Sequence, residues 1–399
     1  MNFSNSKVLV RVDFNVPLDA QYNITDDTRI EAAIPTLKML LEKNNALIIM
    51  SHLGRPQKQK NDDGSINANK FTLEHIVGRL STLLSTPVQF AKDTIGEDAI
   101  AKVEELSAGE VLVLENTRFH KEEAAGEEQF ASQLAKMADV YVNDAFGTAH
   151  RAHASTATVA KFFSKDKKAF GLLMKKELEN AEKVINNPAR PFTAIVGGAK
   201  VSDKILLIKE LLNKVDNIII GGGMAYTFMK AKGGTIGTSL VELDKLNLAN
   251  ELLSIAKEKG VNFYLPKDSI IADSFNKDAN TKMCDSDKID ENWMGLDIGE
   301  VARKEFAGVV ETSKTILWNG PMGVFEMEPF SGGTSAIAHA VAYATKKGAF
   351  SLIGGGDSVA AINQSGLNDQ VSFISTGGGA MLEYLEGKEL PGVAAILND

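Results

Sequence analysis

The chain has 399 residues, a length that favours two domains, and its apolar content of 44% is ordinary for a globular protein. A formal net charge of −9 argues against binding of nucleic acid or of an anionic membrane through bulk electrostatics. The one cysteine, Cys284, excludes an intramolecular disulfide and a CxxC metal site. No apolar run approaches the roughly 20 residues of a membrane span, and the N-terminal segment lacks a long apolar core, so we expect a cytoplasmic protein.

Short apolar runs alternate with helical patterns along the chain. In the first half the runs are KVLVRVDF, ALIIMSHLG, EVLVLENTRF and DVYVNDAFG. In the second half they are FTAIVGGAK, NIIIGGGMA, VNFYLPKD, TILWNGPMG, FSLIGGGDS and VSFISTGGGA. Near-continuous apolar strands that alternate with amphipathic helices indicate parallel sheets covered on both faces. The predicted fold class is therefore α/β, with two doubly wound domains linked by the helical stretch GLLMKKELENAEKVINNPARP.

Polar side chains follow the strands of the first half. VRVDFNVP places Asp13 and Asn15 on one side of the chain as the strand ends, where they would recognise hydroxyl groups. Five basic residues lie at or near other strand and helix ends: Arg29, His52, Arg55, Arg118 and Arg151. Taken singly, each arginine is more typical of a surface ion pair. Together, in a chain of net charge −9, they predict a cationic basin for a small polyanion, because Arg grips phosphate and carboxylate in a bidentate manner.

Four glycine clusters follow apolar runs of the second half, at 197–198, 221–223, 354–356 and 377–379. Glycine lets the backbone approach an anion, and a helix N-terminus supplies unpaired N–H groups and a positive dipole end. The clusters therefore favour a phosphate-bearing ligand, with purely structural turns as the alternative. The chain contains no GxxxxGK[ST] motif, which excludes a P-loop, and no GxGxxG fingerprint, which counts against a dehydrogenase.

The stretch GGAKVSDKI places Lys200 and Lys204 four residues apart at the expected start of a helix, where they would share a face. Like charges at that spacing are mildly destabilising unless an anion lies between them. A solvated pair of surface lysines is the alternative interpretation.

An aspartate interrupts the glycine cradle of SLIGGGDSVAAI, and it would repel a naked phosphate. A nucleotide polyphosphate arrives with Mg²⁺, which prefers carboxylate and phosphate oxygens. We therefore expect Gly355 and Gly356 to bind phosphate through the backbone and Asp357 to face the magnesium. The alternative is that Asp357 caps the following helix.

Two anion sites, one in each domain, favour phosphoryl transfer between two bound molecules, because its catalysis is mostly alignment and charge stabilisation. The histidines lack HExxH spacing, and no Ser-His-Asp arrangement is visible. A kinase acting on another carboxylate or on carbamate is one alternative. A non-catalytic nucleotide-binding or scaffold protein is the other.

Ten motifs, in order over nearly the whole chain, closely resemble the phosphoglycerate kinase family: RVDFNVP, SHLGRP, ENTRF, GTAHRAHAS, GGAKVSDKI, IIGGGMAYTF, WMGLDIG, ILWNGPMGVFE, GGGDS and STGGGA. The resemblance implies reversible, Mg²⁺-dependent transfer of a phosphoryl group between ATP/ADP and 3-phosphoglycerate/1,3-bisphosphoglycerate in glycolysis. It also implies a monomer whose two Rossmann-like domains close about a hinge helix. The implied parts are an N-terminal phosphoglycerate-binding domain, an interdomain helix, a nucleotide-binding domain and a segment that returns to the first domain. They occupy residues 1–172, 173–188, 189–379 and 380–399.

The resemblance also implies roles for individual residues. The implied phosphoglycerate contacts are Asp13, Phe14, Asn15, Arg29, His52, Leu53, Gly54, Arg55, Arg118 and Arg151. The implied nucleotide contacts are Lys200, Lys204, Gly222, Gly223, Gly295, Glu326, Gly355, Gly356, Asp357 and Ser358. The implied catalytic residues are Arg29, Lys200, Gly356 and Gly379. Within these sets Glu326 would receive the ribose hydroxyls, Asp357 would partner magnesium, and Lys200 would follow the transferring phosphoryl group.

Overall fold

The structure is a computed structural model that describes residues 3–398. The chain divides into two compact units, one formed by Met1–Leu178 with Glu389–Asp399 and the other by Glu179–Lys388. Each unit holds a six-stranded parallel sheet, so the predicted α/β class with two parallel-sheet domains is confirmed. The predicted domain limits stay predictions.

The elements of the first unit alternate between strand and helix, as the apolar runs predicted. In chain order they are β1 (Lys7–Arg11), α1 (Thr28–Leu41), β2 (Ala46–Met50), α2 (Ala68–Phe71), α3 (Glu74–Leu84), β3 (Val88–Phe90), α4 (Glu97–Glu105), β4 (Val111–Val113), α5 (Lys121–Ala125), α6 (Glu128–Ala135), β5 (Val140–Asn143), β6 (Lys168–Phe170) and α7 (Leu172–Ile185). Short 3-10 turns lie at Pro56–Lys58, Thr117–Phe119, Phe146–Thr148, Thr158–Phe162 and Lys165–Lys167. The limit between the two units falls inside α7, after Leu178.

The first sheet has the strand order β3-β4-β2-β1-β5-β6 and is buried on both faces. Val8 and Val10 of β1 pack on one face with Ile30 of α1, whereas Leu9 packs on the other face with Leu134 of α6. Because alternate residues of a strand point to opposite faces, a strand covered on both sides must be apolar at every position. This explains why the first-half runs are continuous rather than alternating.

The second unit repeats this plan and adds two small sheets, one of three strands and one of two. Its elements are β7 (Phe192–Val196), α8 (Ile205–Leu211), β8 (Asn217–Ile220), α9 (Met224–Ala231), β9 (Thr235–Ile236), α10 (Leu246–Glu258), β10 (Asn262–Tyr264), β11 (Asp268–Ala272), β12 (Thr281–Asp285), β13 (Lys288–Ile289), β14 (Met294–Ile298), α11 (Glu300–Glu311), β15 (Thr315–Asn319), α12 (Gly332–Lys346), β16 (Phe350–Ile353), α13 (Gly356–Gln364), β17 (Phe373–Ile374) and α14 (Gly379–Leu385). Short 3-10 turns lie at Leu243–Lys245, Glu328–Phe330 and Asn368–Gln370. The last helix, α15 (Pro391–Leu397), belongs to the first unit.

The second parallel sheet has the strand order β10-β8-β7-β15-β16-β17. In the same unit, a separate antiparallel sheet has the strand order β12-β11-β14. Trp318 of β15 and Ile353 of β16 pack with Phe306 of α11 and Ile337 of α12, all fully buried. In such sheets, ligands bind outside the carboxyl ends of the strands, at the point where the strand order reverses. The order reverses between β7 and β15 here and between β1 and β5 in the first unit. Among residues 3–398, no helix combines the length and the apolar character needed to cross a membrane.

Candidate active site

Predicted ligand-binding residues of the first unit follow four neighbouring parallel strands. Asp13 and Asn15 come after β1, His52 and Gly54 after β2, Arg118 after β4, and Arg151 after β5. These strands are adjacent in the order β4-β2-β1-β5, so their carboxyl ends lie along one edge of the sheet. Arg29 is the second residue of α1, the helix that follows β1.

Arg29 is held by the segment that follows β1. Its Nη1 donates to Asp13 Oδ2 at 3.2 Å and to the carbonyl oxygen of Asn15 at 3.1 Å. Its side chain is 38% exposed, whereas that of Asp13 is 10% exposed. The contacts therefore orient the guanidinium while part of it stays accessible to a ligand.

Gly54 connects the loop that follows β2 to the loops that follow β1 and β4. The Gly54 N–H donates to Asn15 Oδ1 at 2.7 Å, and Arg118 Nη1 donates to the Gly54 carbonyl at 2.8 Å. Gly54 has a φ of +63°, and an added Cβ would lie 2.4 Å from the ring of Phe71. Only glycine fits this position, which sets the spacing between Asn15 and Arg118.

The basic groups of this edge act on one another electrostatically. Burial, followed by the nearby charges of Arg11 and Arg151, lowers the pKa of Arg118 to about 10. Burial also lowers the pKa of His52 well below its usual value, and Arg11, Arg118 and Arg29 lower it further. The edge is thus a concentration of positive charge, which a polyanion would stabilise.

Not every predicted contact of this unit presents its side chain to this edge. Phe14 and Leu53 are buried in the core, and the Leu53 carbonyl accepts from Asn116 Nδ2 at 2.8 Å. Arg55 and Arg151 are exposed. No hydrogen bond or ion pair engages either guanidinium within residues 3–398, so both can bind a ligand without breaking an internal contact.

Sequence reasoning missed a buried polar group beneath these residues. Arg11, the last residue of β1, is fully buried and contacts His52 and Ser155, and Ser155 contacts the fully buried Glu123. Arg11 and Ser155 lie within motifs already noted, RVDFNVP and GTAHRAHAS. A charged residue inside an apolar strand was the available signal, because an arginine is rarely fully buried without a partner.

In the second unit the four predicted glycine clusters all follow strands of the parallel sheet. They come after β7, β8, β16 and β17, and three of them lead into α9, α13 and α14. Gly222 has a φ of +69°, and a Cβ there would lie 2.6 Å from the Gly198 carbonyl oxygen and 2.7 Å from the Gly198 nitrogen. The loops after β7 and β8 therefore touch through their backbones. Gly223 precedes α9, and Gly379 is the first residue of α14.

The expected lysine pair does not share a helix face. Helix α8 begins at Ile205, so Lys200 and Lys204 both lie in the loop before it, and that part of the sequence interpretation was wrong. Residues 202–204 form a turn in place of the first helical turn. The Ser202 N–H donates a hydrogen bond to Glu242 Oε2 at 3.0 Å. The pattern VSDKI gave no sign of this side-chain contact.

Lys204 and the β16 glycine turn are connected by Asn319, the last residue of β15. Lys204 Nζ donates to Asn319 Oδ1 at 2.6 Å, and Asn319 Nδ2 donates to the Gly354 carbonyl at 2.7 Å. Burial lowers the pKa of Lys204, although Asp203 and Asp357 oppose that shift. Lys200 is exposed, and its ammonium group makes no hydrogen bond or ion pair within the described part of the chain.

The β16 turn has the geometry of an anion cradle with a carboxylate beside it. Gly355 precedes α13 with a φ of +88°, and no side-chain cap closes the helix, so the alternative of Asp357 as the N-cap is wrong. Asp357 is exposed and has no hydrogen-bond or ion-pair partner within residues 3–398. Ser358, in contrast, is buried, and its Oγ accepts from the Gly320 N–H at 2.5 Å.

A cavity of about 690 Å³ lies beside these loops. The predicted residues Gly222, Gly223, Gly295, Glu326 and Asp357 line it. Sequence reasoning missed its apolar wall, which includes Tyr226, Leu240, Phe275, Met294, Leu296, Met322, Val324 and Met327. These residues come from separate elements and have no common motif, so only the tertiary fold shows them together.

Gly295 is placed by close packing in that wall. A Cβ at this position would lie 1.9 Å from Tyr226 Oη, and the Gly295 N–H donates to Ser239 Oγ at 2.9 Å. Tyr226 Oη in turn donates to Ser269 Oγ at 3.0 Å. Gly295 and Tyr226 therefore pack closely in a cavity lined largely by apolar side chains, a surface to which a planar aromatic group can bind.

Comparison with known proteins identifies the family of the chain. The model of the family "Phosphoglycerate kinase" matches residues 1–388. The chain belongs to the phosphoglycerate kinase family. It is 52% identical to the phosphoglycerate kinase of Porphyromonas gingivalis, over 99% of this chain and 98% of that protein. It is also 52% identical to the cytosolic phosphoglycerate kinase of Nicotiana tabacum, over 99% and 96%.

Solved structures of the family have the same fold. The phosphoglycerate kinase of Coxiella burnetii superposes with a TM-score of 0.87 at 40% identity, covering 100% of this chain and 97% of that one. The enzyme of Pyrococcus horikoshii gives a TM-score of 0.82 at 32% identity, with the same coverage. As a family member, the chain is an ATP:3-phospho-D-glycerate 1-phosphotransferase of glycolysis and uses ATP or ADP. This finding decides against the other carboxylate kinases and the non-catalytic alternatives.

Proposed function

We propose that the basic edge of the first unit binds phosphoglycerate and that the glycine-lined cavity of the second unit binds the nucleotide of the kinase reaction. The observation that carries the proposal is the contrast between three strand ends of one sheet edge that are followed by arginines, with Arg29 in the helix after β1, and a cavity of about 690 Å³ bordered by glycine turns. A small polyanion needs charge, and a nucleotide needs both an apolar slot and a phosphate cradle.

Within the first unit, the guanidinium groups would bind the carboxylate and the phosphate. Arg55 and Arg151 are exposed, Arg118 is half-buried, and Arg29 is oriented by Asp13. Asn15 and Asp13 supply the amide and carboxylate groups that would recognise the hydroxyl. The backbone around Phe14, Leu53 and Gly54 would complete the site, because the two apolar side chains face the core.

Within the second unit, the base would occupy the apolar wall around Gly295, and Glu326 would bind the ribose hydroxyls. Both residues line the cavity, and the Glu326 side chain is exposed. Lys204 and the backbone of Gly355, Gly356 and Ser358 would bind the phosphates, since α13 directs its N-terminal N–H groups at this turn. Gly379 at the start of α14 would add a second helix N-terminus.

Magnesium would be held by Asp357 together with the nucleotide phosphates. The exposed carboxylate, with no internal partner in residues 3–398, offers the oxygen ligand that Mg²⁺ prefers, and one protein carboxylate is typical for a magnesium–nucleotide site. When bound, the ion neutralises phosphate charge. Lys204 lies within electrostatic reach of Asp357, so the turn presents both signs of charge beside the glycine backbone.

Transfer requires the carboxylate oxygen and the γ-phosphorus to come into near-attack contact. We therefore propose that the two domains close by bending about a hinge, exclude water and bring Arg29 and Lys200 to the moving phosphoryl group. One chain carries both sets of binding residues, so a monomer suffices. The acidic chain needs no nucleic acid or membrane partner for this reaction, and we propose that it works in the cytoplasm.

The kinetics of alanine variants test these roles. Arg29→Ala and Lys200→Ala should each lower kcat by about 100-fold or more, with a much smaller change in either KM, because their contacts strengthen in the transition state. Arg79→Ala and Lys209→Ala are matched controls, since their charges are engaged by Asp27 and by Glu251. A rise in KM with kcat intact would contradict the assignment.

The magnesium role is tested in the same assay. Asp357→Ala should shift the magnesium dependence of activity to higher concentration, while the control Asp369→Ala should not. An unchanged magnesium titration in Asp357→Ala would exclude the metal role.

A further inference from the structure

A chain of hydrogen bonds runs beneath the basic edge of the first unit, from Glu123 to His52. Glu123 accepts from the Ser155 N–H at 2.8 Å and from the Ser155 hydroxyl at 2.6 Å. Arg11 Nε donates to Ser155 Oγ at 2.7 Å, and Arg11 Nη2 contacts His52 Nδ1 at 3.1 Å. Glu123, Ser155 and Arg11 are fully buried, and His52 is 2% exposed. The remaining Arg11 contact is from Nη1 to the carbonyl oxygen of Val12.

The direction of every bond in this chain follows from the chemistry of arginine. A guanidinium has donors only, so Ser155 Oγ must accept from Arg11 and must give its own hydrogen to Glu123. The same rule makes His52 Nδ1 an acceptor. An imidazole that accepts at Nδ1 is neutral and carries its hydrogen on Nε2.

A second, weaker contact of His52 would favour the opposite tautomer. Asp13 Oδ1 lies 3.9 Å from His52 Nδ1, and it would favour a proton on that nitrogen. That distance is beyond a hydrogen bond, whereas the Arg11 contact is within one. A proton on Nδ1 would also oppose the N–H of Arg11, so the Arg11 contact decides the tautomer.

We propose that Glu123 is a positioning residue for the kinase reaction. Acting through Ser155 and Arg11, it holds His52 as a neutral imidazole whose Nε2–H is a fixed donor to phosphoglycerate. The functional half of this inference rests on the proposed contact between His52 and phosphoglycerate, and the tautomer itself does not.

The charges around His52 support a donor that stays neutral. Burial is the main cause that lowers the pKa of His52, and the charges of Arg11, Arg118, Arg29 and His153 lower it further, while Asp13 is the acidic group facing it. No hydrogen bond uses His52 Nε2 within residues 3–398. A neutral Nε2–H keeps the same donor geometry across the physiological pH range, which an ordinary titrating histidine does not.

Nitrogen NMR of the full-length, ligand-free protein reads the tautomer directly. With ¹⁵N-labelled histidine, and the His52 signals assigned by comparison with His52→Gln, Nε2 should be protonated and Nδ1 should not. This pattern should hold from about pH 5.5 to pH 8. A proton on Nδ1, or ordinary titration in that range, would overturn the relay.

Variants then test whether Glu123 maintains this state. Glu123→Gln removes the charge that anchors the relay, so His52 should become a mixture of tautomers. The KM for 3-phosphoglycerate should rise by about tenfold, as expected when a buried charge-assisted hydrogen bond is lost, while the KM for ATP stays unchanged. Glu122→Gln is the matched control, because it makes the same charge change at the next residue, which is only half-buried.

Ser155→Ala is the second variant, and it interrupts the relay while leaving Glu123 in place. It should likewise give a mixture of His52 tautomers and raise the KM for 3-phosphoglycerate. It therefore tests the relay even if Glu123→Gln fails to fold. His52 signals that match those of Glu122→Gln in both variants would overturn the role of Glu123. A changed tautomer with an unchanged KM would instead overturn the contact between His52 and phosphoglycerate, and with it the positioning role.

Discussion

The two units share one sheet plan but build their strand ends from different chemistry. In the first unit, side chains meet at the carboxyl edge: guanidinium groups, an imidazole, an amide and a carboxylate. In the second unit, backbone groups meet at this edge, because five glycines in the loops after its parallel strands have positive φ: Gly198, Gly222, Gly320, Gly355 and Gly378. Each arrangement suits one of the two ligands proposed above.

A small ligand with several charges and little apolar surface can be recognised only by paired charges, which arginine supplies. A nucleotide has a large planar base and a long polyphosphate, so apolar area and helix N-termini contribute more. The first site should therefore depend on charge and on salt concentration. The second should depend on how closely the backbone segments approach each other.

The largest effect should come from breaking the backbone contact of the second unit. Gly222→Ala would force a Cβ to within 2.6 Å of the Gly198 carbonyl oxygen, in a backbone conformation that alanine disfavours. Separation of the loops should weaken ADP binding by about 100-fold, as expected from 1–3 kcal/mol of strain and lost contacts, and leave phosphoglycerate binding unchanged. Isothermal titration calorimetry measures both.

Gly233→Ala is the matched control for that experiment. Gly233 also has a positive φ, of +90°, but an added Cβ meets nothing within 4 Å. The Gly233→Ala variant should therefore have the backbone strain without the steric clash, and it should bind ADP with unchanged affinity. Equal losses in the two variants would show that close approach is not what matters.

An intermediate effect is expected from removing charge at the first site. Arg118→Gln should weaken phosphoglycerate binding by about tenfold and flatten its dependence on salt, because one charge-assisted contact is lost. ADP binding should not change. Titrations at low and high salt, with Arg79→Gln as the control, test this, and a parallel loss of ADP affinity would contradict the separation of the two sites.

The smallest effect concerns a feature that the units share. Burial raises the pKa of Asp144 in the first unit and of Asp297 in the second to about 6. A raised pKa means that the folded state holds the proton more tightly than the unfolded state does. The stabilisation is complete below the ordinary aspartate pKa and is lost as the pH rises through about 6, by at most about 1 kcal/mol per pH unit for each group.

Asparagine variants should separate the two carboxyls. Asp144→Asn should remove its share of the pH dependence and cost little at neutral pH. Asp297→Asn should destabilise at neutral pH, because Arg303 Nη2 donates to Asp297 Oδ2 at 2.8 Å and would lose its charged partner. Urea unfolding of both variants between about pH 4 and pH 7.5 measures this. Identical curves for the two would contradict it.

Much of the fold could be predicted because buried parallel strands must be apolar at every position. Runs such as ALIIMSHLG and NIIIGGG therefore show both the strand and the loop that follows it. The start of α8 could not be predicted, because Ser202 bonds Glu242, 40 residues away in the sequence, and this contact replaces the first helical turn. A long-range side-chain contact leaves no local pattern.

The candidate site also contains residues that the local sequence could predict and residues that it could not. Residues at strand ends, such as His52 and Arg118, could be predicted, since parallel strands bring their carboxyl ends to one edge. The apolar wall around Tyr226 and Leu240 could not, because apolar residues on scattered elements resemble ordinary core. Asn319 was also missed, although it ends a strand in ILWNGP, because its partner Lys204 is 115 residues away in the sequence.

Lys204, which we propose binds phosphate, is held by a neutral side chain, that of Asn319. An amide oxygen fixes the ammonium in place but brings no negative charge of its own. The lysine is thus immobilised without being neutralised, and its attraction is kept for an incoming phosphate. A carboxylate at the same position would compete with that phosphate for the lysine. In the proposed nucleotide site, a neutral anchor would therefore hold the ammonium group in place and leave its positive charge available to the phosphates.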